Sequence, residues 1–101
     1  MSINLTCYTK LSVLDLQKKL SIFSANHPEI FPAHYYLSTA GIPHSIQKEV
    51  SNEFGLDPAS YCYLSVNNKT LEISTDEMAD MIRKELGSDN VIILLNGEDL
   101  I

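Results

Sequence analysis

The sequence is poor in the residues that build common cofactor and metal sites. It has two cysteines, four glycines and no tryptophan in 101 residues. Cys7 and Cys62 show neither the C-x-x-C nor the Cys/His spacing of a zinc site, and the glycines are too far apart for a phosphate-binding loop. The longest aliphatic run, Val91–Leu95, is too short to span a bilayer. We therefore predict no metal, no cofactor and no membrane partner.

The chain also lacks the marks of an exported protein. Its first residues have neither the basic region nor the apolar region of a signal peptide. Two thiols without a pairing pattern are typical of small buried side chains in a reducing compartment. We therefore expect a cytoplasmic protein, and the length of the chain indicates one domain over residues 1–101.

Basic residues are scarce and unevenly placed. There are seven Lys and Arg against thirteen Asp and Glu, which gives a net charge of −6. Up to Val50 the balance is +1, whereas from Ser51 onward ten acids face three bases and the balance is −7. An acidic surface repels nucleic acid and anionic membranes and attracts basic proteins. We therefore expect a basic protein partner and no direct contact with nucleic acid.

Hydropathy patterns in the first half predict one strand and two helices. Apolar residues alternate from Ile3 to Cys7, which predicts a strand. Helical periodicity after the N-cap residue Ser12 predicts the first helix. A second helix should begin near Pro43 or Ser45, because an apolar residue recurs at every fourth position. The residues of that stripe are Ile42, Ile46, Val50 and Phe54.

The second half predicts a hairpin, a third helix and a buried strand. Residues 61–74 should form the hairpin. A loop at Asn67-Asn68 would place Leu64 opposite Leu71 and Cys62 opposite Ile73, whereas a loop at Asn68-Lys69 would place Val66 opposite Leu71 and Leu64 opposite Ile73. A helix should follow Ser74 or Thr75, and the unbroken apolar run after it is typical of a strand covered on both faces. The turn Asn96-Gly97 comes next. These elements predict a single layered α/β or α+β domain, with three helices and a mixed sheet of four to five strands.

The segment 26–44 is unusual, because it holds all three histidines, a tyrosine pair and a possible short strand at 34–39. His27, His34 and His44 are too widely spaced for a metal site, and no G-x-S-x-G elbow marks a nucleophile. Long segments of this kind are often functional in compact domains. One alternative hypothesis is therefore a small enzyme in which these histidines transfer protons and the tyrosines orient a ligand.

Carboxylates of the third helix and tyrosines of the hairpin are the candidate contact residues for a basic partner. Acids four residues apart on a helix also suit capping and solubility, and a second layer could cover the tyrosines. If exposed, both sets fit a docking surface. The predicted contact set is Tyr61, Tyr63, Glu72, Asp76, Glu77 and Asp80, with rim charges at Asp57, Asp89, Glu98 and Asp99. No catalytic residue is predicted.

Two family resemblances follow from these features. Residues 61–100 resemble the hairpin, helix and strand of a ubiquitin-like β-grasp, which implies a regulatory adaptor that binds through a sheet edge. The whole chain resembles small bacterial immunity proteins and the ribonuclease inhibitor barstar in its size, its acidity, its thiols and its terminal apolar strand. That resemblance implies stoichiometric binding of a basic toxin domain, often a nuclease, whose active site is occluded by carboxylates. A non-enzymatic immunity protein or antitoxin is our leading hypothesis.

Overall fold

A five-stranded sheet and three helices make up residues 3–31, 33–66 and 73–101, which the computed structural model describes. The order along the chain confirms the predicted fold class and identifies it as α+β. The elements are β1 (Asn4–Thr9), α1 (Val13–Asn26), β2 (Tyr35–Leu37), α2 (Ser45–Glu53), β3 (Ser60–Val66), α3 (Thr75–Leu86), β4 (Val91–Leu95) and β5 (Asp99–Leu100).

The strands lie in the order β2-β3-β1-β4-β5, and every pairing among the described strands is antiparallel rather than mixed. β1 is the central strand, with Cys7 opposite Cys62 on β3 and opposite Ile93 on β4. Because side chains alternate along a strand, Leu5 and Cys7 point to one face of the sheet, while Thr6 and Tyr8 point to the other.

The main core lies between one face of the sheet, called here the inner face, and the helices α1 and α3. Leu16, Leu20 and Phe23 of α1 and four residues of α3 are buried there. Burial of these apolar side chains is the dominant stabilising term, at roughly 2 kcal/mol for each side chain. The sheet residues with almost no exposed surface in this core are Leu5, Cys7, Tyr35, Cys62, Leu64 and Ile93.

The opposite face of the sheet, called here the outer face, carries Tyr8, Tyr61, Tyr63 and Leu94. α2 and the chain after it cover only part of this face, where Leu56 packs against Tyr8 and Leu94 in a second, smaller cluster. β4 is therefore buried on both sides, as its unbroken apolar run predicts. The rest of the outer face has no helix over it among the described residues.

Local polar groups fix the ends of the elements. The hydroxyl oxygen of Ser12 accepts a hydrogen bond from the Asp15 amide, so the predicted cap of α1 is confirmed. Ser74 caps α3 in the same way. At α2 the N-cap is His44, which forms a reciprocal capping box with Gln47. The predicted turn after β4 is confirmed, with φ of 54° at Asn96 and 74° at Gly97.

The predicted hairpin pairing is wrong. β3 is bordered by β1 on one side and by β2 on the other, so Cys62 and Leu64 have no free edge for a return strand near Ile73. The pattern was misleading because an apolar strand followed by a turn does not reveal which distant strand fills its edges. The rest of the predicted hairpin, with its turn and Leu71, falls on residues 67–72, which lie outside the described residues.

Candidate partner-binding surfaces

The two tyrosines of β3 lie on the outer face, as alternation predicts, but their surroundings differ. Tyr61 is half-buried, and its ring centroid lies 6.2 Å from that of Tyr8 in the smaller cluster. Tyr63 is 40% exposed, and its ring centroid lies 6.1 Å from that of Tyr36 on β2, which is 45% exposed. The second layer therefore covers one predicted contact tyrosine and leaves the other accessible next to Tyr36.

The carboxylates of α3 are exposed, but they lie on the other side of the molecule. α3 packs on the inner face, so the sheet separates Asp76, Glu77 and Asp80 from the predicted tyrosine pair. Asp76 and Glu77 occupy the first turn, where acids offset the helix dipole. Asp80 forms an ion pair with Arg83 at 2.8 Å, which partly neutralises it, as expected for residues one turn apart.

The remaining predicted contact residues are dispersed over both ends of the sheet. Asp57 and Asp89 are exposed in the segments that lead into β3 and β4, at the Thr9 end of β1. Glu98 and Asp99 are exposed in the β4–β5 turn and in β5, near the Asn4 end. Glu72 lies outside the described residues. The structure therefore brings together parts of the predicted set and does not join its described members into one continuous patch.

A further exposed surface on α2 was missed by the sequence analysis. Ile42 and Ile46 are 76% and 65% exposed, although the four-residue spacing predicted that they face a core. Of the stripe, Val50 packs partly buried against the smaller cluster, and Phe54 is 36% exposed. Glu49 and Glu53 lie three and seven positions after Ile46, hence on the same side of the helix, and both are exposed. These acids on the apolar stripe were the sequence signal that the side faces solvent.

α1 carries a second exposed apolar stripe with the opposite charge. Leu14 and Ile22 are exposed, and Lys18 lies one turn from each of them. These side chains line a shallow groove together with Gln17 and Ser21. The groove is open and lies on the inner-face side of the molecule, because α1 covers that face.

The three histidines have separate local surroundings. His44 caps α2, and His27 lies against Phe23 and 3.4 Å from the Glu29 carboxylate. His34 lies in the turn before β2, with a buried Nδ1 that has no hydrogen-bond partner. The clefts found around α1 contain no histidine. An enzyme that uses these histidines for proton transfer would place one of them in a pocket beside a carboxylate, and none of these clefts has that arrangement.

The cysteines pack as the sequence analysis expected. Both thiols are free and fully buried, directly opposite each other on β1 and β3. A hydrogen bond with Cys62, together with burial, raises the pKa of the Cys7 thiol well above its usual range, so it stays protonated and unreactive. Across residues 3–31, 33–66 and 73–101, no cluster of three His, Cys, Asp or Glu side chains is arranged to bind a metal ion. The described helices include none that is long and apolar enough to cross a bilayer.

The β-grasp hypothesis required an exposed edge strand in the predicted hairpin. β3 is an interior strand, and the edges of the described sheet are β2 and β5. The hairpin strand β3 therefore does not provide the free edge that this hypothesis required.

Comparisons with known proteins identify the family. No curated protein gives a significant match. The fold is similar to that of a chain in the solved structure of the CdiA-CT/CdiI toxin and immunity complex from Burkholderia pseudomallei, with a TM-score of 0.80 and 24% identity over 97% of this chain and 95% of that chain. The model of the family described as CDI System Immunity Component matches residues 1–99. The chain therefore belongs to the CDI system immunity components and is an immunity protein that neutralises a toxin.

Proposed function

We propose that this immunity protein inhibits a basic toxin domain, such as a nuclease, by binding it in a one-to-one complex that covers its active site. The single observation that carries the proposal is the surplus of accessible carboxylates. Every acidic residue that the structure describes is exposed, except Glu85, which is half-buried. Within the described part of the chain, ion pairs involve only Glu29 and Asp80 among these acids. The other carboxylates are available to a cationic partner.

The charge distribution supports this mode of inhibition. A nuclease binds phosphates through lysines and arginines, and that basic cleft is complementary to exposed carboxylates. Such complementarity accelerates encounter and excludes acidic partners. The inhibition is non-enzymatic in this proposal, because binding alone blocks the substrate. The buried, reduced thiols fit action in the cytoplasm, where a toxin would meet its substrate.

The experiment is a titration of toxin activity. The probe is the purified toxin domain from the gene next to that of this chain, assayed on total RNA and on plasmid DNA. We expect activity to fall linearly and reach zero at an equimolar amount of the immunity protein. Residual activity at a large excess would contradict the proposal, as would loss of activity at a small fraction of one equivalent, which would indicate an enzymatic mechanism. Inhibition of a toxin without nuclease activity would overturn only the substrate class.

A further inference from the structure

The outer face keeps an aromatic pair accessible at its β2 edge. Tyr36 and Tyr63 lie side by side across the β2–β3 pairing, and neither is covered by a helix in the described structure. Exposed tyrosines present a rigid apolar body and a polar hydroxyl, and they are enriched among residues that dominate binding energy at protein interfaces. The pair contributes little to the core, because both side chains remain about half accessible.

The exposed side of α2 adds aliphatic and acidic groups in the same layer. Ile42 and Ile46 have most of their surface in water, so they add little to folding stability. Isolated apolar residues on a surface are ordinary. Two isoleucines beside the carboxylates of Glu49 and Glu53 instead form the apolar centre and charged rim that protein interfaces share.

The backbone connects these two groups along one edge of β3. The Ser38 amide donates to the Tyr63 carbonyl, and the Gly41 amide donates to the Tyr61 carbonyl at 3.0 Å. A Cβ at Gly41 would come within 3.0 Å of the Tyr61 ring, so the chain lies directly against that strand. Ile42 follows at once and leads into α2. The chain that joins the tyrosine pair to α2 therefore runs along this edge of β3, and both groups belong to the layer on the outer face.

Charge distinguishes the exposed side of α2 from the exposed sides of α1 and α3. The apolar stripe of α1 carries Lys18, which repels a basic partner. On α3, Asp80 already forms an ion pair with Arg83, and the next residue, Lys84, adds a second positive charge. No ion pair is found for Glu49 or Glu53 within the described residues. The α2 side combines exposed isoleucines with two carboxylates that form no ion pair among the described residues, and its own exposed base is Lys48, next to Glu49.

We propose that the outer patch, defined as Tyr36, Ile42, Ile46, Glu49, Glu53 and Tyr63, is the surface that docks onto the basic toxin domain. The inference rests on the proposed function and specifies where the inhibitor binds. The tyrosines and isoleucines form the desolvated centre of the contact, and the two carboxylates face cationic groups of the toxin.

Hydrogen exchange of the unmodified protein, with and without the toxin domain from the neighbouring gene, tests this placement without mutation. Peptides that cover 35–54 and 60–66 should exchange at least about fivefold more slowly in the complex, because bound surface loses access to solvent. Peptides that cover α1 and α3 should change by less than about twofold. Protection confined to α1 or α3 would overturn the patch and leave the proposed function intact.

Matched variants give an independent readout. Ile42→Ser with Ile46→Ser should raise the Kd for the toxin domain about tenfold or more, whereas Leu14→Ser with Ile22→Ser should change it by less than about twofold. Glu49→Lys with Glu53→Lys should lower the association rate about tenfold at low salt. Asp76→Lys with Glu77→Lys makes the same change in net charge and should have a smaller effect. Thermal unfolding checks that each variant is folded.

The outcomes separate the two proposals. If the unmodified protein does not bind the toxin domain, the proposed function fails, and the outer patch fails with it. If the unmodified protein binds, and the outer-patch variants bind as tightly as the control variants, only the outer patch is overturned.

Discussion

Tyr35 shows how one buried side chain ties distant segments together and makes stability depend on pH. Its side chain is fully buried on the inner face, and its hydroxyl donates to the Ile73 carbonyl at 3.3 Å, between β2 and the start of α3. Burial, and then the nearby Glu77 carboxylate, raise the pKa of Tyr35. Burial, and then Tyr61, raise the pKa of Tyr8 on the opposite face. The folded protein therefore favours neutral phenols at both positions.

This preference predicts alkaline destabilisation. A group whose pKa is raised on folding contributes stability that is fully present below its unfolded pKa, which is about 10 for tyrosine. That stability is lost as the pH rises through the folded value. We expect the free energy of unfolding, measured with urea, to fall above about pH 10. For the Tyr35→Phe variant, the free energy of unfolding should fall less steeply with pH. At neutral pH it should be about 1 kcal/mol lower than that of the unmodified protein, because the hydrogen bond is lost. Equal slopes for both proteins would contradict this explanation.

At the scale of the elements, α2 is held by few contacts. Val50 and the following Leu56 pack into the smaller cluster, and the hydroxyl of the buried Ser51 donates to the Leu56 carbonyl at 2.7 Å. Ile42, which precedes the helix, and Ile46, in its first turn, are mostly exposed and contribute little to this attachment. The four-residue spacing correctly predicted a helix, but it could not show how narrow the covered part of the outer face is.

Two alanine substitutions distinguish a side chain that holds α2 against the sheet from one that lies in solvent. Leu56→Ala should lower the free energy of unfolding by about 2–4 kcal/mol, because it leaves a cavity under α2. Ile46→Ala should change it by less than about 0.5 kcal/mol, because the side chain is mostly in water. Urea unfolding of both variants measures the difference. Similar losses for the two would show that Ile46 packs against the domain.

Several elements could be predicted because their signals are local. Alternation identified β1, the hydroxyl cap and periodicity identified α1, and the Asn96-Gly97 turn placed the end of β4. The partners of β3 could not be predicted, because both edges are filled by strands far away in the sequence. The cap of α2 was missed because His44 accepts through a ring nitrogen, which is a rare substitute for the usual Ser, Thr, Asp or Asn.

At the scale of the whole molecule, composition indicated the class of function, whereas the position of the binding surface could be inferred only from the structure. The excess of acid and the absence of cofactor patterns indicated a binding protein, the resemblance to small bacterial immunity proteins implied its class, and the family match confirms that hypothesis. The contact residues depended on which layer each helix covers. α3 covers the inner face, so its acids are separated from Tyr63, while α2 brings Ile46 and its neighbouring carboxylates to the same side as the exposed tyrosines.

The salt dependence of association tests most directly whether the exposed carboxylates capture the toxin. The rate constant for binding of the toxin domain from the neighbouring gene is measured by stopped flow between about 20 mM and about 500 mM NaCl, where screening shortens the range of charge attraction several-fold. We predict a fall of at least about tenfold across that range, as expected of electrostatic steering. A rate constant that stays the same at all salt concentrations would contradict capture by charge.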